Sequence, residues 1–192
     1  MNTKQFFLSL LFVGFLSNIS IMAQTTVSIA ESIVINLPKD KLWEITALQF
    51  DKIGIWSSGV KDSEGHETSQ VGAVCNERQC EPAYKGFKKT TERIIDYQPE
   101  NYEFTYQIAA GLPKMVVNAT NHWTHVDEDS GTRLTMSVNM ELKGLMGRIM
   151  KGLMQKNMKK VLRENLEELK VYAETGEVHE RKKKLNASLV KQ

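Results

Sequence analysis

The 192-residue chain has few of the features that announce a chemistry. Its formal charge is only +2, from 25 Lys+Arg against 23 Asp+Glu. A field that weak gives no reason to expect a nucleic-acid partner, and no interleaving of aromatic and basic residues of the single-strand-binding kind is present. Only two cysteines occur, Cys75 and Cys80. Their C-x4-C spacing is not the redox spacing, and no third and fourth ligand lie nearby to complete a metal site. No Gly-rich phosphate loop follows a strand, no Ser, His and Asp constellation is legible, and no paired carboxylates mark a hydrolase. His122 and His125 are three apart in a predicted strand, which puts them on opposite faces and prevents them from chelating one ion. His66 and His179, in polar surroundings, are expected at the surface. Neither a metal nor a cofactor is therefore expected. Internal repeats and low-complexity linkers are also missing, so one core is expected.

Long apolar runs are missing except at the start. Lys4 forms a short positive region, residues 6–16 are almost wholly apolar, and Ile21-Met22-Ala23 offers a small residue for cleavage. The run is too short to span a bilayer and is broken by Ser17, Asn18 and Ser20. Residues 1–23 read as a secretory signal peptide, and the mature chain then starts near Gln24. With no cysteine at that junction, a lipidated N-terminus is not expected. The expectation is an exported protein, periplasmic or secreted, in a compartment where Cys75 and Cys80 could close a hairpin end as a disulfide.

What is present is strong patterning. Residues 144–174 place Leu145, Met146, Ile149, Met150, Leu153, Met154, Met158, Val161, Leu162, Leu166, Leu169 and Tyr172 at the three-and-four spacing of one helix face. Upstream, period-two alternation predicts strands over 27–35, 71–76, 87–97, 102–109, 115–126 and 132–141, with a further extended segment after 56–60. Two small helical pieces, one opened by Pro38 and one over 48–53, follow the first strand. Hairpin-joined strands of this kind make an antiparallel sheet with one dry face. Residues 177–192 are charged, with Arg181-Lys182-Lys183-Lys184, and are expected to be a disordered basic tail. The sequons at Asn118 and Asn186 lie in a predicted strand and in this tail, and are read as chance matches.

Several of these residues carry a resemblance. The run from Ile33 to Pro38 leading into Leu42-Trp43, then Trp56, Thr91-Glu92-Arg93-Ile94, Gly131-Thr132 before a strand, and Leu169-Lys170 near the end of the long helix resemble the polyketide cyclase/dehydrase branch of the START and Bet v 1-like (SRPBCC) superfamily. The likeness spans residues 27–174. It implies an α+β helix-grip fold over 24–176: a seven-stranded antiparallel sheet wrapped around the C-terminal helix, with two short helices after the first strand. Between sheet and helix the resemblance implies a pocket for an apolar or amphipathic small molecule. In some hormone-binding relatives the glutamate matching Glu92 faces the cavity, and Gly111-Leu112-Pro113 resembles their mouth-gating loop.

The residues themselves suggest what would line such a cavity. Seven of the nine methionines (Met115, Met136, Met140, Met146, Met150, Met154 and Met158) fall on predicted inward faces. Unbranched and polarizable, Met suits an adaptable lining as well as an ordinary core. Val117 is a further lining candidate, and Tyr106, Asn121 and Trp123 are candidate polar contacts. Three functions compete. The first is an exported carrier or holder of a lipid-like molecule. The second is a cyclase/dehydrase-like enzyme using groups such as Glu92 or Tyr106 for proton transfer. The third is a transient membrane-surface or interaction protein, because Arg148, Lys151, Lys156, Lys159, Lys160 and Arg163 line the helix's polar side. No catalytic set favours the enzyme, and the oligomeric state is left open.

Overall fold

The computed structural model describes residues 24–66, 72–84 and 88–191. The signal peptide read over 1–23 lies outside them. The chain forms seven strands, β1 (Thr25–Ile35), β2 (Val60–His66), β3 (Glu77–Pro82), β4 (Thr90–Gln98), β5 (Glu103–Ala110), β6 (Val116–Glu128) and β7 (Gly131–Leu142), with apolar alternation clearest in β5 to β7. They pair antiparallel in the order β1-β7-β6-β5-β4-β3-β2. Strands β2 to β7 thus form one meander, and only the β1 to β2 link crosses from one edge of the sheet to the other. Helices fill that link: α1 (Lys39–Trp43), a π turn (Glu44–Leu48), a 3-10 turn (Phe50–Lys52) and α2 (Ile53–Trp56). The second helical piece expected over 48–53 is therefore split and shifted toward α2.

Strand β7 explains the dry face. Leu134, Met136, Val138, Met140 and Leu142 alternate with polar neighbours, and all five are buried. Burying each such side chain contributes about 1.5–3 kcal/mol. The apolar stripe over 144–174 folds as α3 (Gly144–Thr175), about 48 Å long at 1.5 Å per residue. Gly176 ends it with a positive φ of 74°, and its N–H donates to Tyr172 O at 2.8 Å, a glycine cap that satisfies a last-turn carbonyl. The second half of α3 buries Leu162, Leu166 and Leu169. Alongside β1, Lys159 and Arg163 hold Glu31 at 3.3 and 2.9 Å, and Lys170 Nζ donates to Val34 O at 2.6 Å. The charge that interrupts the apolar side of β1 is thereby paired by the helix. This is the helix-grip arrangement that the resemblance implies.

An aromatic cluster packs part of the interior solid. Trp43 meets Tyr97, Tyr102, Phe104 and His125 at centroid distances of 5.3–5.8 Å, and Phe104 continues the cluster to Phe50 and Trp123. His125 sits inside it: its Nδ1 lies 2.8 Å from Tyr102 O, and its Nε2 lies 2.9 Å from Thr46 Oγ1. Burial pushes its pKa down to about 4. The ring is therefore neutral near pH 7, with Nδ1–H donating to the Tyr102 carbonyl and the unprotonated Nε2 facing the Thr46 hydroxyl, whose single proton is shared between it and Leu42 O.

Four expectations are corrected. The strand placed over 71–76 lies instead at Glu77–Pro82, beyond a bent segment. Cys75 and Cys80 are both free. Cys75 Sγ instead donates to Glu77 O at 3.3 Å, and Cys80 stands in β3. The tail is also ordered. Residues Glu180–Leu189 form α4, capped by His179 Nδ1, which accepts from Arg181 N at 3.1 Å. Arg181 pairs with Glu167 and Glu168 at 2.9 and 2.6 Å, and the buried Lys182 Nζ donates to Val60 O at 2.7 Å. A basic run without apolar period thus folds by meeting carboxylates and carbonyls of other elements. His66, expected at the surface, has its Nε2 buried.

Candidate functional site

Between the curled sheet and the middle of α3 lies a cavity of about 210 Å³. Period two on each strand turns one side chain in two toward it. Ile108, Ala119, Val138 and Met140 come from β5, β6 and β7, Met158 and Leu162 close it from α3, and Ile53 comes from α2. The walls are therefore mainly apolar, and the polar groups stand in two places.

At one, Ser57 Oγ donates to Asn165 Oδ1 at 2.7 Å, so these two satisfy each other. At the other stand Glu92, Tyr106 and Asn121, with Cys80 nearby. Asn121 Nδ2 donates to Tyr106 Oη at 3.1 Å, and Asn121 Oδ1 is buried with no partner among the described residues. A buried acceptor left unsatisfied costs about 1–3 kcal/mol. Behind this corner, Arg78 Nε and Nη2 donate to Glu92 Oε2 at 2.8 and 2.6 Å, and Nη1 donates to Phe50 O. The guanidinium stacks 3.8 Å from the Phe50 ring centroid and 5.2 Å from that of Tyr106. Burial opposes the charge on Arg78, but the Glu92 carboxylate outweighs it and holds Arg78 charged, its pKa above the usual range. Burial, reinforced by Glu92, raises the Tyr106 phenol and keeps it protonated. Burial also pushes the Cys80 thiol up to about 12, so it is a neutral wall group rather than a thiolate nucleophile.

The predicted site residues divide by face and by height. Glu92, Tyr106, Asn121, Met140 and Met158 line the cavity. Trp123 and Met136 point inward but belong to the solid core, where Trp123 Nε1 has no partner among the described residues. Met115 and Met154 pack against the core without reaching the cavity wall. Val117 does not line the cavity: it is half-exposed, since a register shift between Val116 and Asn118 leaves Val116 and Ala119 as the inward pair. Met146 is exposed and Met150 only half-buried, because the inward side of the first turn is taken by Gly147, buried against Leu142 of β7, and Met146 stands beside Leu145 on the outward side. In the Gly111-Leu112-Pro113 loop, Gly111 has φ +89°, and an added Cβ would lie 2.3 Å from Lys89 O. Only glycine fits there. The loop thus lies against the start of β4, whose Thr90 lines the cavity. The residue missed by the sequence reading is Arg78. Starting a strand at Glu77 would have put it on the same face as Cys80.

The model of a family described as polyketide cyclase / dehydrase and lipid transport matches residues 26–174, from β1 through α3 and short of α4. Similar solved structures include that of Ara h 8.0201, at 14% identity and a TM-score of 0.62, covering 78% of this chain and 98% of that one. TTHA0849 from Thermus thermophilus is 17% identical at a TM-score of 0.61, covering 78% and 97%. A point mutant of norcoclaurine synthase from Thalictrum flavum, solved in complex with a transition state analogue, is 14% identical at a TM-score of 0.60, covering 78% and 96%. At such identities the likeness is one of fold. No curated protein matches the chain significantly by sequence.

Proposed function

We propose, from the premise that this chain belongs to the polyketide cyclase / dehydrase and lipid transport family, that it is a binding protein for a small, largely apolar molecule with a hydrogen-bond donor at one end. The observation that carries this reading is a mainly apolar cavity of about 210 Å³ whose wall holds Asn121, its Oδ1 without a partner among the described residues. An engineered apolar cavity of about 150 Å³ takes up benzene. A hollow of this size suits one substituted ring or the end of an alkyl chain. We further propose that binding takes place outside the cytoplasm, a reading supported by Lys4, the apolar run over 6–16 and Ala23.

Titration with benzene and phenol, followed by NMR of the cavity residues, tests the reading. Both should shift Ile108, Ala119 and Met158, with phenol bound about twofold to tenfold more tightly through the extra hydrogen bond. Asn121→Leu should abolish the preference while benzene still binds. If neither compound perturbs these residues, and native mass spectrometry of the purified protein finds no bound mass, the reading fails. The enzymatic alternative retains its candidate, since Glu92 does lie on the inner face. Its Oε2 already accepts two N–H groups from Arg78, an arrangement that favours holding a ligand over taking its proton.

A further inference from the structure

We propose that the first half of α3, residues 144–160, is a docking surface for an anionic lipid bilayer. Leu145, Met146, Ile149 and Leu153 are 72, 56, 65 and 51% exposed. Leu145, Ile149 and Leu153 follow one another at four-residue steps, so they form a single outward ridge, with Met146 beside it. The other exposed large apolar residues, such as Ile55, Ile95, Val126 and Val190, are scattered over separate elements.

The charges beside this ridge identify the occupant. Between Glu141 and Glu164 the chain has no acidic residue, while Lys143, Arg148, Lys151, Lys156, Lys159, Lys160 and Arg163 all fall there. Farther along the helix the cations are paired: Lys159 and Arg163 with Glu31, Lys170 with Glu174. Lys143, Arg148, Lys151 and Lys156 form no ion pair among the described residues. A chain of net charge +2 thus concentrates unpaired positive charge on this half of the helix, with Arg148 and Lys156 flanking the ridge three residues beyond Leu145 and Leu153. A second copy would set basic row against basic row. A nucleic acid would leave the ridge in water, and there is no aromatic residue here to stack on bases. An anionic bilayer meets both needs, taking apolar side chains into its headgroup boundary and cations at its surface. The helix would lie on the membrane, for no described helix is long and apolar enough to cross one.

Two further features fit. Gly152 has nothing within 4 Å of where a Cβ would stand, so no packing explains it. A mid-helix glycine weakens a helix relative to alanine, and this half of α3 would gain from an external support. Met158, which lines the cavity, lies five residues beyond Leu153, about 7.5 Å along the axis. Docking would bring a cavity wall to the bilayer.

The test uses the chain from Gln24 onward, which contains every described element, in flotation with vesicles of phosphatidylcholine alone and of phosphatidylcholine mixed with phosphatidylglycerol. Binding is expected to the mixed vesicles, to weaken as salt is raised, and to fall about fivefold for each of Arg148→Gln and Lys156→Gln, which lie three residues beyond Leu145 and Leu153, but to change little for Lys151→Gln on the far side of the helix. Ile149→Ser with Leu153→Ser should abolish it while circular dichroism and the urea midpoint stay unchanged, because both side chains are exposed. Absence of binding to mixed vesicles, or binding that these variants leave intact, overturns the proposal. So does sedimentation showing a dimer that the two serine substitutions dissociate, since the ridge would then be a self-association face.

Discussion

Arg78 carries its charge inside the sheet, between an aromatic ring and a single carboxylate, and so depends on its partner. Glu92→Gln should cost about 3–5 kcal/mol in urea denaturation, because it leaves a buried guanidinium without its counter-ion. The double variant Arg78→Met with Glu92→Leu should recover most of that loss, since an apolar pair of similar volume needs no desolvation. A double variant no more stable than the single one would refute this account. His125 gives the second residue-scale prediction. Its folded pKa, about 4, lies below the ordinary His value of about 6.5, so the unfolded chain binds more protons between those values. Stability should be fully present above about pH 6.5 and decline toward pH 4 by up to about 3 kcal/mol. His125→Gln should flatten that part of the profile measured by urea midpoints. Glu92, Tyr106 and Asn121 are legible as inward residues from alternation. Arg78 is not, because a charged residue near a pair of cysteines reads as a turn until β2 and β4 are seen to flank it.

At the scale of elements, α3 is two helices in one. Its second half is gripped by β1, and its first half, seated through Gly147 on Leu142 of β7, exposes an apolar ridge on its outer side. Periodicity reveals that one face is apolar throughout, but not where the sheet ends and the water begins. Helix α4 is an element that the basic run hid, since its cations are held by carboxylates and carbonyls of other elements. Buried Glu168 accepts from Ser58 N at 2.7 Å, Ser58 Oγ at 2.6 Å and Arg181 Nε at 2.6 Å, tying α3, the turn after α2 and α4 together. Arg181→Ala should lower stability by about 2 kcal/mol, the worth of a hydrogen bond to a charged group. The expected signature is a lower urea midpoint with an unchanged slope. A wild-type midpoint would mean that α4 contributes nothing to the fold.

Across the whole molecule the interior divides into a solid aromatic region and a hollow one, and methionine serves in both. Met136→Ala, in the solid part, should cost about 2–5 kcal/mol through the cavity it creates. Met158→Trp, at the hollow, should fill existing space, block benzene uptake and leave the urea midpoint close to wild type. Equal losses of stability for both would mean that the hollow is not available to a guest. The order of residues alone dictates the strand meander, the long helix and the family, because period-two and period-3.6 patterns are local consequences of which face is dry. Which inward residues border empty space, which pack solidly, where the helix leaves the sheet, and that the basic tail folds are all settled by the assembled chain. Those outcomes depend on how far the sheet curls and on contacts between residues more than a hundred positions apart, such as Ser58 with Glu168, which no local period encodes.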